Sequence, residues 1–114
     1  VDVSFISLKK IIYKINELIK DTGIITMLIK PQFEAGRENI DKNGIVKNKN
    51  IHIKVLQDIC NFCIEQGLFV YDITYSPIKG SKGNIEYLIC LNKQQNNKIL
   101  PFKKVVFEAF ENLK

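Results

Sequence analysis

Three residues far apart in the chain, Asp2, Lys30 and Glu86, are of types that hold charge and exchange protons, and each falls where a strand is expected to start or stop. In an open parallel sheet, ligands bind beyond the carboxyl ends of the strands, so polar residues there are the first candidates for a site. Asp2 stands at or near the end of an opening strand and Lys30 is the last residue of a second. Glu86 lies near the start of a strand expected to run the other way, which returns it to the same edge. A carboxylate, a lysine and a second carboxylate thereby converge. Without a site, the same residues read as a turn or cap aspartate, a strand-end lysine and an exposed strand glutamate.

Cys60-Asn-Phe-Cys63 is a C-x-x-C spacing that raises zinc or redox chemistry. A structural zinc takes four ligands, and only Cys90 and His52 remain as conventional soft candidates. Both cysteines fall on the apolar face of an expected helix, so they are assigned to core packing and no metal is expected. His52, near the start of that helix, is expected to hydrogen-bond the preceding loop rather than to catalyse.

The elements that must position these residues follow from hydrophobic spacing. Leu8, Ile11, Ile12, Ile15, Leu18 and Ile19 predict an amphipathic helix, with Ser7 as its N-cap and Gly23 just beyond it. Residues 23–30 form a short, nearly continuous apolar run stopped by Pro31, as in a strand buried on both faces of a parallel sheet. Residues 31–50 are polar and predict a long loop. Asn50 is expected to cap a second helix whose Val55, Leu56, Ile59, Cys60, Phe62 and Cys63 share a face and which ends at Gly67. Residues 68–75 alternate, with Phe69, Tyr71, Ile73 and Tyr75 on one face, and predict a strand at or near a sheet edge. The turn at 76–83 is too short for a crossover, so the strand at 84–91 is expected to run antiparallel to its neighbour. After a polar linker at 92–97, Phe102, Val105, Val106, Ala109, Phe110 and Leu113 predict a terminal helix docked on the body. The sum is an α/β fold with a mixed, mostly parallel sheet whose last strand is antiparallel.

With 114 residues, 46% of them hydrophobic, the chain suits one small domain. No apolar run approaches the ~20 residues that span a bilayer, so no membrane association is expected. Seventeen Lys and Arg against twelve Asp and Glu give a charge of +5, which suits a polyanionic partner without demanding one. Arg37, Lys42, Lys47 and Lys49 in the 31–50 loop and Lys79 and Lys82 in the 76–83 turn are the candidate phosphate contacts. Three cysteines and no secretory signal argue against a disulfide framework and for a reducing, cytoplasmic compartment. The opening Val-Asp-Val-Ser-Phe, without Met, reads as a strand already under way, so the chain is expected to be a piece of a longer protein.

Several blocks then carry a resemblance, in chain order: Asp2-Val-Ser-Phe-Ile-Ser-Leu8, Lys30-Pro-Gln-Phe-Glu-Ala-Gly-Arg-Glu38, Gly44-Ile-Val46, His52, Ser76-Pro-Ile78, Gly80 and Gly83-Asn-Ile-Glu86. Together they resemble the second half of the TlyA-type, hemolysin-like members of the FtsJ family of ribosomal RNA 2′-O-methyltransferases. The resemblance implies part of a class I (Rossmann-like) methyltransferase fold over residues 1–92, followed by a linker and amphipathic helix at 93–114. It implies S-adenosylmethionine as methyl donor and ribosomal RNA, within a ribosomal subunit, as partner. It also implies that Asp2, Lys30 and Glu86 are the last three members of a Lys-Asp-Lys-Glu tetrad. The first lysine and the glycine-rich cofactor turn would lie upstream of Val1, so the fragment alone is expected to be inactive.

Under this resemblance Lys30 is the candidate base, and Asp2 and Glu86 orient the lysine and the ribose. A free lysine is protonated at neutral pH, so such a role calls for burial or a neighbouring cation. Arg37, Lys47, Lys79 and Lys82 are the expected RNA contacts. The alternative is a non-catalytic RNA-binding or interaction module that keeps the fold. A pore-forming reading, which the family's hemolysin label suggests, has no spanning segment to support it.

Overall fold

The computed structural model describes residues 10–12, 14, 15 and 23–113. The opening strand, Asp2, Ser7, Leu8, Leu18 and Ile19 of the sequence reading lie outside them. Of the expected first helix, residues 10–12, 14 and 15 are helical, with Ile12 fully buried and Ile11 and Ile15 packed on the core.

The chain then runs through β1 (Ile25–Ile29), the single-turn helix α1 (Pro31–Glu34), a 3-10 turn (Arg37–Asn39) and α2 (Lys49–Glu65). After these come β2 (Phe69–Tyr75), a second 3-10 turn (Ser81–Gly83), β3 (Tyr87–Asn92) and α3 (Phe102–Asn112). The described strands form one sheet of order β1-β3-β2, with β3 in the centre and antiparallel to both neighbours. The expected reversal at the last strand is present, and β1 and β2 point the same way. No two described strands are hydrogen-bonded in parallel, so among the described residues the sheet is antiparallel rather than mostly parallel. Interposing β3 between two co-directional strands produces this.

Tyr87, Ile89 and Leu91 of β3 alternate onto one face and are fully buried against Met27 and Ile29 of β1. In β2, Val70 pairs with Leu91 but Asp72 pairs with Cys90, so Tyr71 is an extra residue. A bulge inserts one residue and so exchanges faces beyond it. The buried pair is therefore Val70 and Ile73, not the unbroken Phe69, Tyr71, Ile73, Tyr75 row.

α2 starts earlier than expected: Asn48, not Asn50, is its cap, its side chain accepting from the Asn50 backbone N–H at 2.8 Å. The helix buries Val55, Leu56, Ile59, Cys60 and Cys63. It stops in a paired closure, with Leu68 N–H donating to Cys63 O at 2.9 Å and Gly67 N–H to Ile64 O at 3.0 Å. Gly67 has φ +78°, where a side chain would be strained. α3 lays Val105, Val106 and Ala109 against α2 and β2, so the terminal helix covers the domain's own core.

The 31–50 segment is not an open loop. Pro31 occupies the first turn of α1, where its missing N–H costs nothing. Further on, the Asp41 carboxylate accepts from the N–H groups of Asn43 and Ile45 at 2.8 and 3.0 Å.

Candidate functional site

The site forms at one rim of the sheet, where β1 and β2 end and β3 begins. Ile29 and Tyr75 both pair with Tyr87, so Lys30, Ser76 and Glu86 are the next residues outward on adjacent strands. Lys30 follows β1 rather than ending it and precedes Pro31 in extended conformation. Ser76 N–H donates to Glu86 O at 2.8 Å, which carries the ladder one residue past β3.

A cleft of about 470 Å³ opens at this rim, lined by Lys30, Gln32, Phe33, Ile40, Gly44, Ser81 and Lys82. Glu86 is 5% exposed and does not line the cleft. Its carboxylate lies one hydrogen bond behind the wall, Oε2 accepting from Gln32 Nε2 at 2.8 Å. The carboxylate also occupies the place a side chain on Gly80 would take, so only glycine fits there.

Of the lining residues, Gly44 and Ser81 are tied together by Asn84, which is 1% exposed. Its Oδ1 accepts from Val46 N–H at 3.1 Å, and its Nδ2 donates to Gly44 O at 2.8 Å and Ser81 O at 3.1 Å. Lys82 has φ +58°, the one positive value among the described non-glycine residues. Its aliphatic arm lies where a side chain on Gly44 would otherwise be.

His52 is fully buried and holds this assembly from below. A carbonyl only accepts, so Nε2 carries the proton donated to Val46 O at 2.7 Å, and Nδ1 accepts from the Tyr87 hydroxyl at 2.8 Å. Desolvation holds its pKa below the ordinary imidazole value, with the Val46 bond opposing. The expected loop contact is thus what His52 makes. Burial pushes the Cys60 and Cys63 thiols up to about 12. Both sit in the core, as expected from their face of α2.

The expected RNA contacts do not share one surface. Lys82 lines the cleft with Lys30, whereas Lys47 and Lys79 line a second depression beside Phe110 and Leu113 of the terminal segment. Lys47 is ion-paired to Asp41 at 3.0 Å. That bond and, above all, the Ile45 N–H depress the Asp41 pKa. Arg37 is exposed on its turn. Gln32 and Asn84 were not singled out from sequence, although each falls inside a block that carries the resemblance, where Gly80 stands as a single matched residue. Their signal was position within those blocks, next to residues with more conspicuous chemistry.

Comparison with known proteins supplies the family. Residues 1–93 match the FtsJ-like methyltransferase family, and the chain belongs to it. It is 39% identical to the Bacillus subtilis protein named "Putative rRNA methyltransferase YqxC", covering all of this chain and 43% of that protein. It is 42% identical to the "23S rRNA (cytidine-2'-O)-methyltransferase TlyA" of Campylobacter jejuni, over 75% of this chain and 34% of that one. A solved structure titled "Putative hemolysin from Streptococcus thermophilus" superposes with a TM-score of 0.90 at 42% identity, covering 97% of this chain and 41% of that one. The chain therefore spans less than half the length of these relatives. No described helix is long and apolar enough to cross a membrane.

Proposed function

We propose that this chain carries the acceptor side of a ribosomal RNA 2′-O-methyltransferase that uses S-adenosylmethionine and works on ribosomal subunits in the cytoplasm. Family membership and the names of the TlyA and YqxC relatives support the reaction class. The observation that carries the assignment is the placing of Lys30 on the cleft wall with the Glu86 carboxylate one hydrogen bond behind it.

No described residue is given a contact to the cofactor. The cofactor supplies an electrophilic methyl group when bound. This chain's part is the nucleophile. A ribose hydroxyl attacks well only when held in place and relieved of its proton. Lys30 is the base that takes the 2′-hydroxyl proton. The carboxylates of Glu86 and Asp2, the latter outside the described residues, set the direction of that approach. Lys82, in the lining of the same cleft, offers a cation to a neighbouring phosphate.

The test uses the full-length protein, ribosomal subunits and labelled S-adenosylmethionine, with nucleoside mass spectrometry of the product. Lys30→Ala is expected to abolish 2′-O-methylation while cofactor binding survives. Undiminished methylation by that variant removes the assignment.

A further inference from the structure

We infer that Gln32 is a positioning residue for this reaction, acting with Glu86 as one unit to couple the buried carboxylate to the cleft. The inference rests on the methyltransferase reading above and adds a residue to it.

Gln32 both walls the cleft and hydrogen-bonds the Glu86 side chain. It is 8% exposed and set in a turn whose entry Pro31 fixes. Its Nε2 makes the Glu86 bond, but its Oε1 is buried with no hydrogen-bond partner. A buried acceptor left unpaired is destabilising, and methionine would fill the same length without one. Packing alone therefore does not account for an amide here. What the amide adds is a donor to Glu86. On the other side, Gly80 leaves the carboxylate the room it occupies. Departures of this kind from a fully satisfied interior collect at functional sites, where geometry is held at the expense of stability.

The test is a double-mutant cycle in the full-length protein, read by steady-state methylation across a series of ribosomal-subunit concentrations. Gln32→Met keeps the shape and removes the donor. It is expected to lower kcat by about tenfold or more while KM stays within about twofold. Combined with Glu86→Gln, it is expected to cost nothing beyond Glu86→Gln alone, as for residues that act as a unit. Wild-type kcat in Gln32→Met, or losses that multiply in the double variant, overturns the proposal.

Should Gln32→Met fail to fold, the exchanged pair Gln32→Glu with Glu86→Gln restores a donor facing an acceptor in reverse. It is expected to recover the thermal midpoint lost by Gln32→Glu alone while leaving methylation defective. Recovery of methylation along with the midpoint would show that only the bond's stabilising effect matters and overturn the coupling. A wild-type protein that methylates no ribosomal RNA fails the reading above, whereas an active wild type with an indifferent Gln32 fails this inference alone.

Discussion

The His52 ring is committed to one tautomer by its two partners, and that commitment has a measurable cost at low pH. Nε2–H is spent on Val46 O and Nδ1 accepts from Tyr87, so a second ring proton would face the donor hydroxyl in a desolvated place. The folded pKa accordingly lies below the ordinary value of 6.5, with desolvation as the first cause. A group depressed on folding contributes stability that is complete above its unfolded pKa and is lost as pH falls through its folded one. Stability should therefore decline from about pH 6.5 downward, by at most ~1.4 kcal/mol per pH unit. His52 is the chain's single histidine, so urea midpoints against pH read it cleanly. The decline should vanish in His52→Asn. Asp41, also depressed, acts in the carboxylate range below it. Tyr87→Phe leaves Nδ1 without a donor and should cost ~1–3 kcal/mol at neutral pH. A urea midpoint equal to wild type would show that the hydroxyl contributes nothing to the fold.

At the scale of elements, the second 3-10 turn and the 44–46 part of the loop between β1 and α2 are held together because Asn84 bonds to both. Asn84→Ala orphans the Val46 N–H and unties Gly44 from Ser81. It should destabilise by ~1–3 kcal/mol in urea and make the 40–47 segment cleavable by protease under native conditions. Unaltered protease resistance would mean that the loop is held by Asp41 alone. Helices and strands were legible in sequence because each is set by its own period. α2, β2 and the last strand's reversal follow from spacing and from a turn too short to cross over. Three things were not legible. Tyr71 breaks the alternation without altering its appearance, since Phe69, Tyr71, Ile73 and Tyr75 still read as a clean row. The 31–50 segment looks like a loop because its order comes from side-chain bonds 38 and 40 residues distant, which no local pattern records. The sheet's order needs β3 between β1 and β2, and connection length fixes only its direction. The candidate site shares this split. Lys30 and Glu86 were found by asking where strands end, whereas the bond from the Gln32 amide to the Glu86 carboxylate is visible only in the folded chain.

Over the whole molecule, the net charge of +5 is spread over separate places, and this bears on how an RNA would be held. Lys30 and Lys82 share the cleft, Lys47 and Lys79 share the depression beside the terminal segment, and Arg37 lines neither. A phosphate chain touching all of them must run along the surface, so its contacts should be independent and roughly additive. Each contact that releases a counterion adds ~0.7 to 0.9 to the slope of log K against log salt. Arg37 and Lys82 are exposed, so Arg37→Gln and Lys82→Gln should each flatten the slope by about that amount in the full-length protein. Lys47 is different, because its ammonium already lies 3.0 Å from the Asp41 carboxylate. A phosphate there displaces a partner as well as a counterion, so Lys47→Gln should flatten the slope less. Asp41→Asn should free the lysine and steepen it, although the lost carboxylate also loosens the turn at Asn43 and Ile45. Filter binding to ribosomal RNA across a salt series separates these outcomes. An unchanged slope in the Arg37→Gln, Lys82→Gln double variant would place the RNA on another face.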